Sequence, residues 1–239
     1  LRAIPEVRAA GAISLLPIKD GYSNVGAWDP ENPPAGPRDV ILAEHRSVVP
    51  GYFDAMGIPL RAGRDFSDLG VGEEEFSLII NEAMARGLFG NDSPLGRRVA
   101  VDAGEDEPVL AREVGVVGDV RMTGLASEPQ WQMYYSFAQY TNSGLSLAVR
   151  TTGDPAAVTN ALRRALRARD PDIPLGRIAT MEEVVWDAMA TPRILMTALT
   201  AFALVALFLS ALGLYSVLAF HVARRVHEIG IRVAMGATG

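Results

Sequence analysis

The side chains that could run a reaction are few and scattered. The 239 residues hold three histidines, His45, His221 and His227. Two of them lie in or beside a long apolar run, so a serine or zinc hydrolase site in the polar part would have His45 alone as base or ligand. Glu73, Glu74 and Glu75 concentrate negative charge that could attract a cation, but without interleaved Asp or Asn ligands they read as a solvated loop. No G-x-x-x-x-G-K-[ST] loop occurs, so the chain does not hydrolyse ATP by that route. Gly115 and Gly118 fall short of a dinucleotide fingerprint and read as places where a strand bends or is closely approached. Trp131, Tyr134, Tyr135, Phe137 and Tyr140 could stack on a sugar, yet they read better as core strand residues. With no cysteine, a disulfide framework and a thiolate metal site are both excluded. No catalytic, cofactor-binding or metal-ligating residue is assigned.

The informative segment is apolar. Between Arg193 and Arg224 stand 30 residues without one Asp, Glu, Lys or Arg. A bilayer core of about 30 Å needs roughly 20 helical residues, so a helix from Ile194 to Phe220 is long enough to cross. A buried core helix rarely reaches that length while staying apolar on every face. From Arg193 onward four Arg face one Glu, a net +3, so the whole-chain −6 leaves −9 on residues 1–192. That acidic balance argues against a nucleic-acid surface there. Arg224, Arg225 and Arg232 follow the apolar run while Arg193 alone precedes it, which predicts an outside-to-inside helix and an extracytoplasmic body. Thr200, Ala203, Ala206, Ser210 and Gly213 form a stripe of small residues on one helical face, suited to close approach of another helix. The start at Leu1 and the end at Gly239 predict a fragment of a longer chain.

The elements of the body follow from period and punctuation. Arg2 to Ile18 reads as a strand leading into a long loop from Asp20 to Pro37, and Val40 to Val49 alternates loosely up to the Pro50-Gly51 turn signal. Tyr52 to Met56 predicts a short helix. Phe76 to Ile80 reads as a buried strand, followed by a helix that Asn81 caps and Gly90 ends. Val99 to Val101, Val109 to Val120, Gln132 to Tyr135 and Leu145 to Arg150 read as strands. Asp154 and Pro155 open a helix that stops before Pro171. Thr180 and Glu183 have capping-box spacing before a helix from Met181 to Met189, and Thr191-Pro192 signals the start of the apolar helix. Strands and helices mix without strict alternation, which predicts an α+β domain with a mixed sheet, in one body or two lobes, over residues 1–192. A transmembrane helix over 193–223 and a cytoplasmic segment over 224–239 follow.

Beyond the apolar run, Arg224 and Arg232 each lie four residues from Glu228, the spacing of helical ion pairs. Their apolar companions Val226, Ile229, Ile231, Val233, Ala234 and Met235 need headgroups or a protein to cover them. Residues Arg225 to Ala237, reading RVHEIGIRVAMGA, closely resemble the signature of the FtsX-like permease family of ABC transporters. Upstream, Pro50 to Leu60 with Gly63-Arg64-Asp65-Phe66, Ile80-Asn81-Glu82-Ala83, Pro94-Leu95-Gly96 and Val116 to Arg121 resemble the MacB-like periplasmic core domain. The resemblance spans almost the whole chain. Ser216 and His227 depart from the usual residues at their positions.

The resemblance implies a permease subunit of the bacterial inner membrane, itself not an enzyme and needing no cofactor. It implies a homodimer or paired permease, an ATP-binding subunit or domain as partner, and room for a periplasmic adaptor. ATP-driven closure inside would move the membrane helices and with them the outer domain, for efflux or export. Arg225, Glu228, Ile229, Gly230 and Arg232 would then lie nearest the ATPase, and the small-residue stripe would pack helix on helix. A membrane-tethered sensor or scaffold without ATPase coupling is the competing class. An extracytoplasmic hydrolase, which would need a cleft holding His45 with an acid and a nucleophile, is the third.

Overall fold

The computed structural model describes residues 4–18, 21, 23–67, 76–102, 104, 107–121, 129–141, 144–172, 174–188 and 190–236, with backbone alone at 188, 190–195, 223, 227, 228 and 232–234. The acidic run Glu73 to Glu75 lies outside the described residues. The chain divides into two units, Leu1–Ala188 and Met189–Gly239.

The first unit is built on nine strands: β1 (Val7–Ile13), β2 (Asn24–Trp28), β3 (Ile41–Val49), β4 (Leu60–Gly63), β5 (Phe76–Asn81), β6 (Arg98–Val101), β7 (Val109–Val117), β8 (Gln132–Ser136) and β9 (Ser146–Thr151). Between them and after them come helices α1 (Tyr52–Met56), α2 (Glu82–Phe89), α3 (Pro155–Arg169) and α4 (Met181–Ala188). Strand order is β2-β6-β7-β5-β8-β3-β1-β9, and β2 also pairs β3, so six strands close on themselves. β3 makes this possible by its length. Its first half, Ile41 to Glu44, pairs β2, whereas Val48 and Val49 pair β1. β3 with β8 and β5 with β7 run parallel while the other pairs run antiparallel, giving the expected mixed sheet.

Successive side chains of a strand point to opposite faces, and here both faces are covered. Ile79 and Tyr134 join Ala9, Ile13 and Val48 with Tyr52 and Phe53 of α1 in one core. Leu78, Ile80, Met133 and Tyr135 join Ala27, Ala43, Val99, Val101 and Ala111 with Met84 and Phe89 of α2 in the other. The alternative of two lobes thus resolves into two cores served by one sheet within one compact unit.

Most expected elements appear, with three corrections. The segment read as loop from Asp20 to Pro37 contains β2, whose pattern is broken by Gly26; a Cβ there would press on Val40 and Asp102. β4 is only four residues long, too short for a period to show. The strand expected to reach Val120 stops at Val117, because the Gly118 amide turns to Pro59 O at 2.9 Å. Caps behave as their chemistry requires. Asn81 Oδ1 accepts from the Met84 amide, Asp154 Oδ1 accepts from the Ala156 amide, and Thr180 and Glu183 accept from each other's amides at 3.2 and 2.9 Å.

The second unit is one helix, α5 (Ala190–Ala234). It begins before the Thr191-Pro192 pair, so Pro192 sits in the first turn, where its missing N–H leaves no bond unmade. It also runs on past Arg224 without a break, so the arginine-rich tail is the same helix.

Two close approaches should dominate glycine replacements. A Cβ on Gly11 would strike the backbone of Gly51 and Tyr52, where α1 lies on β1. One on Gly63, which has φ +72°, would strike Val114 O. Gly11→Ala and Gly63→Ala are expected to lower the unfolding free energy of residues 1–188 by about 1–3 kcal/mol. Gly153→Ala, with open space around it, should change it by less than about 0.5 kcal/mol in the same urea titration.

Candidate functional site

A hydrogen-bonded polar seam crosses the interior of the first unit. The parallel register sets Glu44 opposite Gln132 and Arg46 opposite Tyr134, all on one face and all buried. Arg46 donates to Glu44 Oε2 at 3.1 Å and to Leu15 O at 2.8 Å. Tyr134 donates its hydroxyl to Gln132 Oε1 at 3.0 Å, and Gln132 Nε2 donates to Val120 O. Burial pushes the phenols of Tyr52 and Tyr134 well above their ordinary range, so both stay neutral donors. Among the described residues, Glu44 Oε1, Arg46 Nε and the Tyr52 hydroxyl have no hydrogen-bond partner.

Asn81 is the branch point. Its Oδ1 accepts from the amides of Met84 and Gln132, and its Nδ2 donates to Asp119 Oδ1 at 2.7 Å and Gln130 O at 2.9 Å. Asp119 in turn accepts from the Ala83 amide at 2.8 Å and from Arg86 at 3.1 Å, a carboxylate at a helix N-terminus where the dipole favours it. The segments that carry the family resemblance meet here. Ile80-Asn81-Glu82-Ala83 is joined to Val116 to Arg121 through Asp119, and Gly118 to Pro59. The Gly96 amide donates to Glu113 O, and that of Gly51 to Asp65 Oδ2. Sequence reasoning saw Asn81 as a cap only; its other bonds depend on β8 and Asp119, distant in sequence.

His45 has company that sequence reading missed. Ser23 Oγ lies 2.7 Å from its Nε2, and the rings of Tyr135 and Tyr140 stand edge-on at 5.9 and 6.0 Å. Burial, with Arg46 nearby, holds the imidazole below its usual pKa. The pair has the contact of a base and a hydroxyl, but among the described residues no carboxylate contacts the ring to orient it. The arrangement works as a packed hydrogen bond between the β2 entry and β3. Tyr134 and Tyr135 lie in the two cores, as expected of strand residues, and no group of three His, Asp or Glu suited to a metal occurs among the described residues.

Glu113 is a buried carboxyl beside the β5–β7 irregularity. Among the described residues neither of its oxygens has a partner in hydrogen-bond geometry, and burial raises its pKa to about 7. The nearby Gly115 amide offsets part of that rise.

In α5, the segment Met196–Ile231 is long and apolar enough to cross a membrane, and its described side chains are exposed within this chain. Thr200, Ala203, Ala206, Ser210 and Gly213 are all exposed, though the Thr200 hydroxyl is engaged with Met196 O at 2.8 Å. A Cβ on Gly213 or Gly230 would meet nothing, so both leave room on the helix surface. Arg224 stacks over Phe220 at 5.6 Å. Arg225, Ile229 and Gly230 are exposed on helical backbone. The side chains of Glu228, Arg232 and His227 lie outside the described ones, so the expected pairs of Arg224 and Arg232 with Glu228 do too.

A mixed sheet flanked by helices defines an α+β domain, and it is followed in the chain by one helix long and apolar enough to be a candidate transmembrane helix. The model of the MacB-like periplasmic core domain matches residues 2–165, and the chain belongs to that family. The macrolide export ATP-binding/permease protein MacB of Sodalis glossinidius is 26% identical over 247 residues, covering 95% of this chain and 37% of that protein. The ABC transporter permease YknZ of Bacillus subtilis is 27% identical over 195 residues, covering 79% and 47%. The chain therefore spans between a third and a half of these relatives. Among solved structures, the extracellular domain of YknZ has a TM-score of 0.46 at 20% identity, covering 71% of this chain and 80% of that one. The periplasmic region of MacB from Actinobacillus actinomycetemcomitans has 0.47 at 16%, covering 70% and 69%.

Asn81→Ala removes a cap and strands the Gln132 amide, so residues 1–188 should lose about 2–4 kcal/mol in urea titration. Asn81→Asp, which sets a carboxylate against Asp119, should be no better. Glu113 yields a pH prediction. Its folded pKa exceeds the ordinary 4.5, so the stability it contributes is full below pH 4.5 and is lost as pH rises to about 7. The advantage of Glu113→Gln over the parent should therefore grow by roughly 2–3 kcal/mol between pH 4.5 and 7.5. A difference that does not vary with pH would remove the assignment.

Proposed function

We propose that this chain is part of a permease subunit of an ABC transporter of the FtsX and MacB type. Residues 1–192 stand outside the cytoplasm of a bacterial inner membrane, residues 193–223 cross it, and residues 224–239 begin the cytoplasmic coupling segment. ATP hydrolysis by a partner subunit or fused domain moves the helix and with it the outer domain, in the service of efflux or export. The subunit works as a homodimer or paired permease, with an adaptor able to dock outside. What carries the reading is one juxtaposition: a domain of the MacB-like family joined directly to a membrane-length helix with three arginines at its far end. The Arg225 to Ala237 segment supports the ATPase side of it, as does the likeness to an export ATP-binding/permease protein and to an ABC transporter permease.

In this reading Arg225, Glu228, Ile229, Gly230 and Arg232 form the ATPase contact. The Thr200, Ala203, Ala206, Ser210 and Gly213 stripe is the face on which another membrane helix packs. The chain supplies neither the nucleotide site nor a reactive centre; its chemistry is mechanical.

Two measurements test this. Because the chain has no cysteine, Glu31→Cys on the described surface should react with a membrane-impermeant maleimide in intact cells whose outer membrane has been permeabilised. Reaction only after lysis would reverse the orientation. In the full-length protein with its ATPase, replacing Glu228 and Arg232 together by alanine should weaken coupling of hydrolysis to transport by about tenfold or more at unchanged expression. Unchanged coupling would remove the interface.

A further inference from the structure

We infer that an ordered internal water binds between Glu44 Oε1, Arg46 Nε and the Tyr52 hydroxyl, and that through it α1 is hydrogen-bonded to β3. The three side chains come from two elements and converge on Tyr134. Arg46 lies beside Tyr134 in the β3–β8 register, and Glu44 lies two residues along the same face, beside Gln132. The Tyr52 ring packs edge-on to Phe53 at 5.6 Å, and Phe53 to Tyr134 at 5.1 Å. The charge of Arg46 acts on the phenols of both tyrosines and that of Glu44 on Tyr134, so these polar ends share one region of the core. Glu44 is 3% exposed, Arg46 2% and Tyr52 0%, so bulk solvent does not serve them.

The unmet atoms define the ligand. Arg46 gives Nη1 to Leu15 O and Nη2 to Glu44 Oε2, which leaves Nε and Glu44 Oε1 as the free ends of an ion pair joined by a single prong. A guanidinium Nε only donates, a carboxylate oxygen only accepts, and a phenol does either. The occupant must therefore accept from one neighbour and donate to another. An anion would meet the Glu44 carboxylate and a cation the Arg46 guanidinium, each a like charge at close range in a medium of low dielectric. An apolar group would leave all three atoms unmet. Water satisfies both polarities, and a buried water typically makes about three hydrogen bonds, the number offered here.

Tyr52→Phe in the whole chain, held in detergent micelles, distinguishes the two states of this hydroxyl by the sign of its effect. A phenol bonded to a water loses that hydrogen bond on replacement, so the folding constant from urea titration should fall about threefold to tenfold. A phenol without a partner sheds only its cost of burial, so an unchanged or larger folding constant would overturn the inference. Crystals of the same chain supply the second measurement: one water-sized peak of density within about 2.6–3.2 Å of all three atoms is expected. If instead the three atoms close on protein groups, or a larger molecule lies between them, the inference fails whatever Tyr52→Phe does to folding.

Discussion

The first unit depends on one buried side chain that must satisfy four partners at once. Asn81 ends β5, caps α2, receives the first amide of β8 and holds Asp119. An unmet buried donor or acceptor costs about 1–3 kcal/mol, so these partners are not free to drift. Their positions tie two strands, one helix and the segment that follows β7 to a common point. Asp119 then passes the constraint outward, to Arg86 on the surface and to the amide of Ala83. The closed six-strand ring follows from the same economy: a sheet with hydrophobic side chains on both faces needs cover on both, and closing it leaves fewer free edges.

The Glu44–Arg46 pair extends that seam into the other core. Two buried charges are held by each other and by Leu15 O, which keeps them compatible with burial without making them a large source of stability. Among the described residues three of its atoms, Glu44 Oε1, Arg46 Nε and the Tyr52 hydroxyl, find no partner. Tyr52 belongs to α1, and α1 lies on β1 so closely at Gly11 that no side chain fits between. Packing of Tyr52 and Phe53 into the first core and that contact together fix α1.

How much of this could be read from sequence depended on range. Local signals held: Asn81, Asp154 and the Thr180–Glu183 box all cap, because a cap needs only residues three or four apart. Long apolar or alternating strands were legible for the same reason. β2 was not, since its Gly26 answers to Val40 and Asp102 rather than to any pattern in its own five residues. β4 was too short to show a period. The contact of Ser23 with His45 was invisible because β2, its neighbour in the chain, was read as loop. Glu113 gave no warning either, for nothing in an alternating strand says which polar residue will face a core.

The tail past Arg224 is helical, as the four-residue spacing of Arg224, Glu228 and Arg232 allowed, and continuous with the apolar run. Val226, Ile229 and Ile231 continue the apolar helix, and no Gly-Pro punctuation intervenes, so α5 runs for 45 residues, about 68 Å. A bilayer core accounts for about 30 Å of that. In the proposed reading the rest is a lever, because a continuous helix carries displacement along its axis with little loss while a turn would absorb it. At the other end Val184 locks α4 into the first core. In the same proposed reading, a domain whose interior is held at Asn81 would answer a pull as a body and not unfold piecemeal, because the partners of that side chain lie on separate segments and none can leave without stranding a buried polar group.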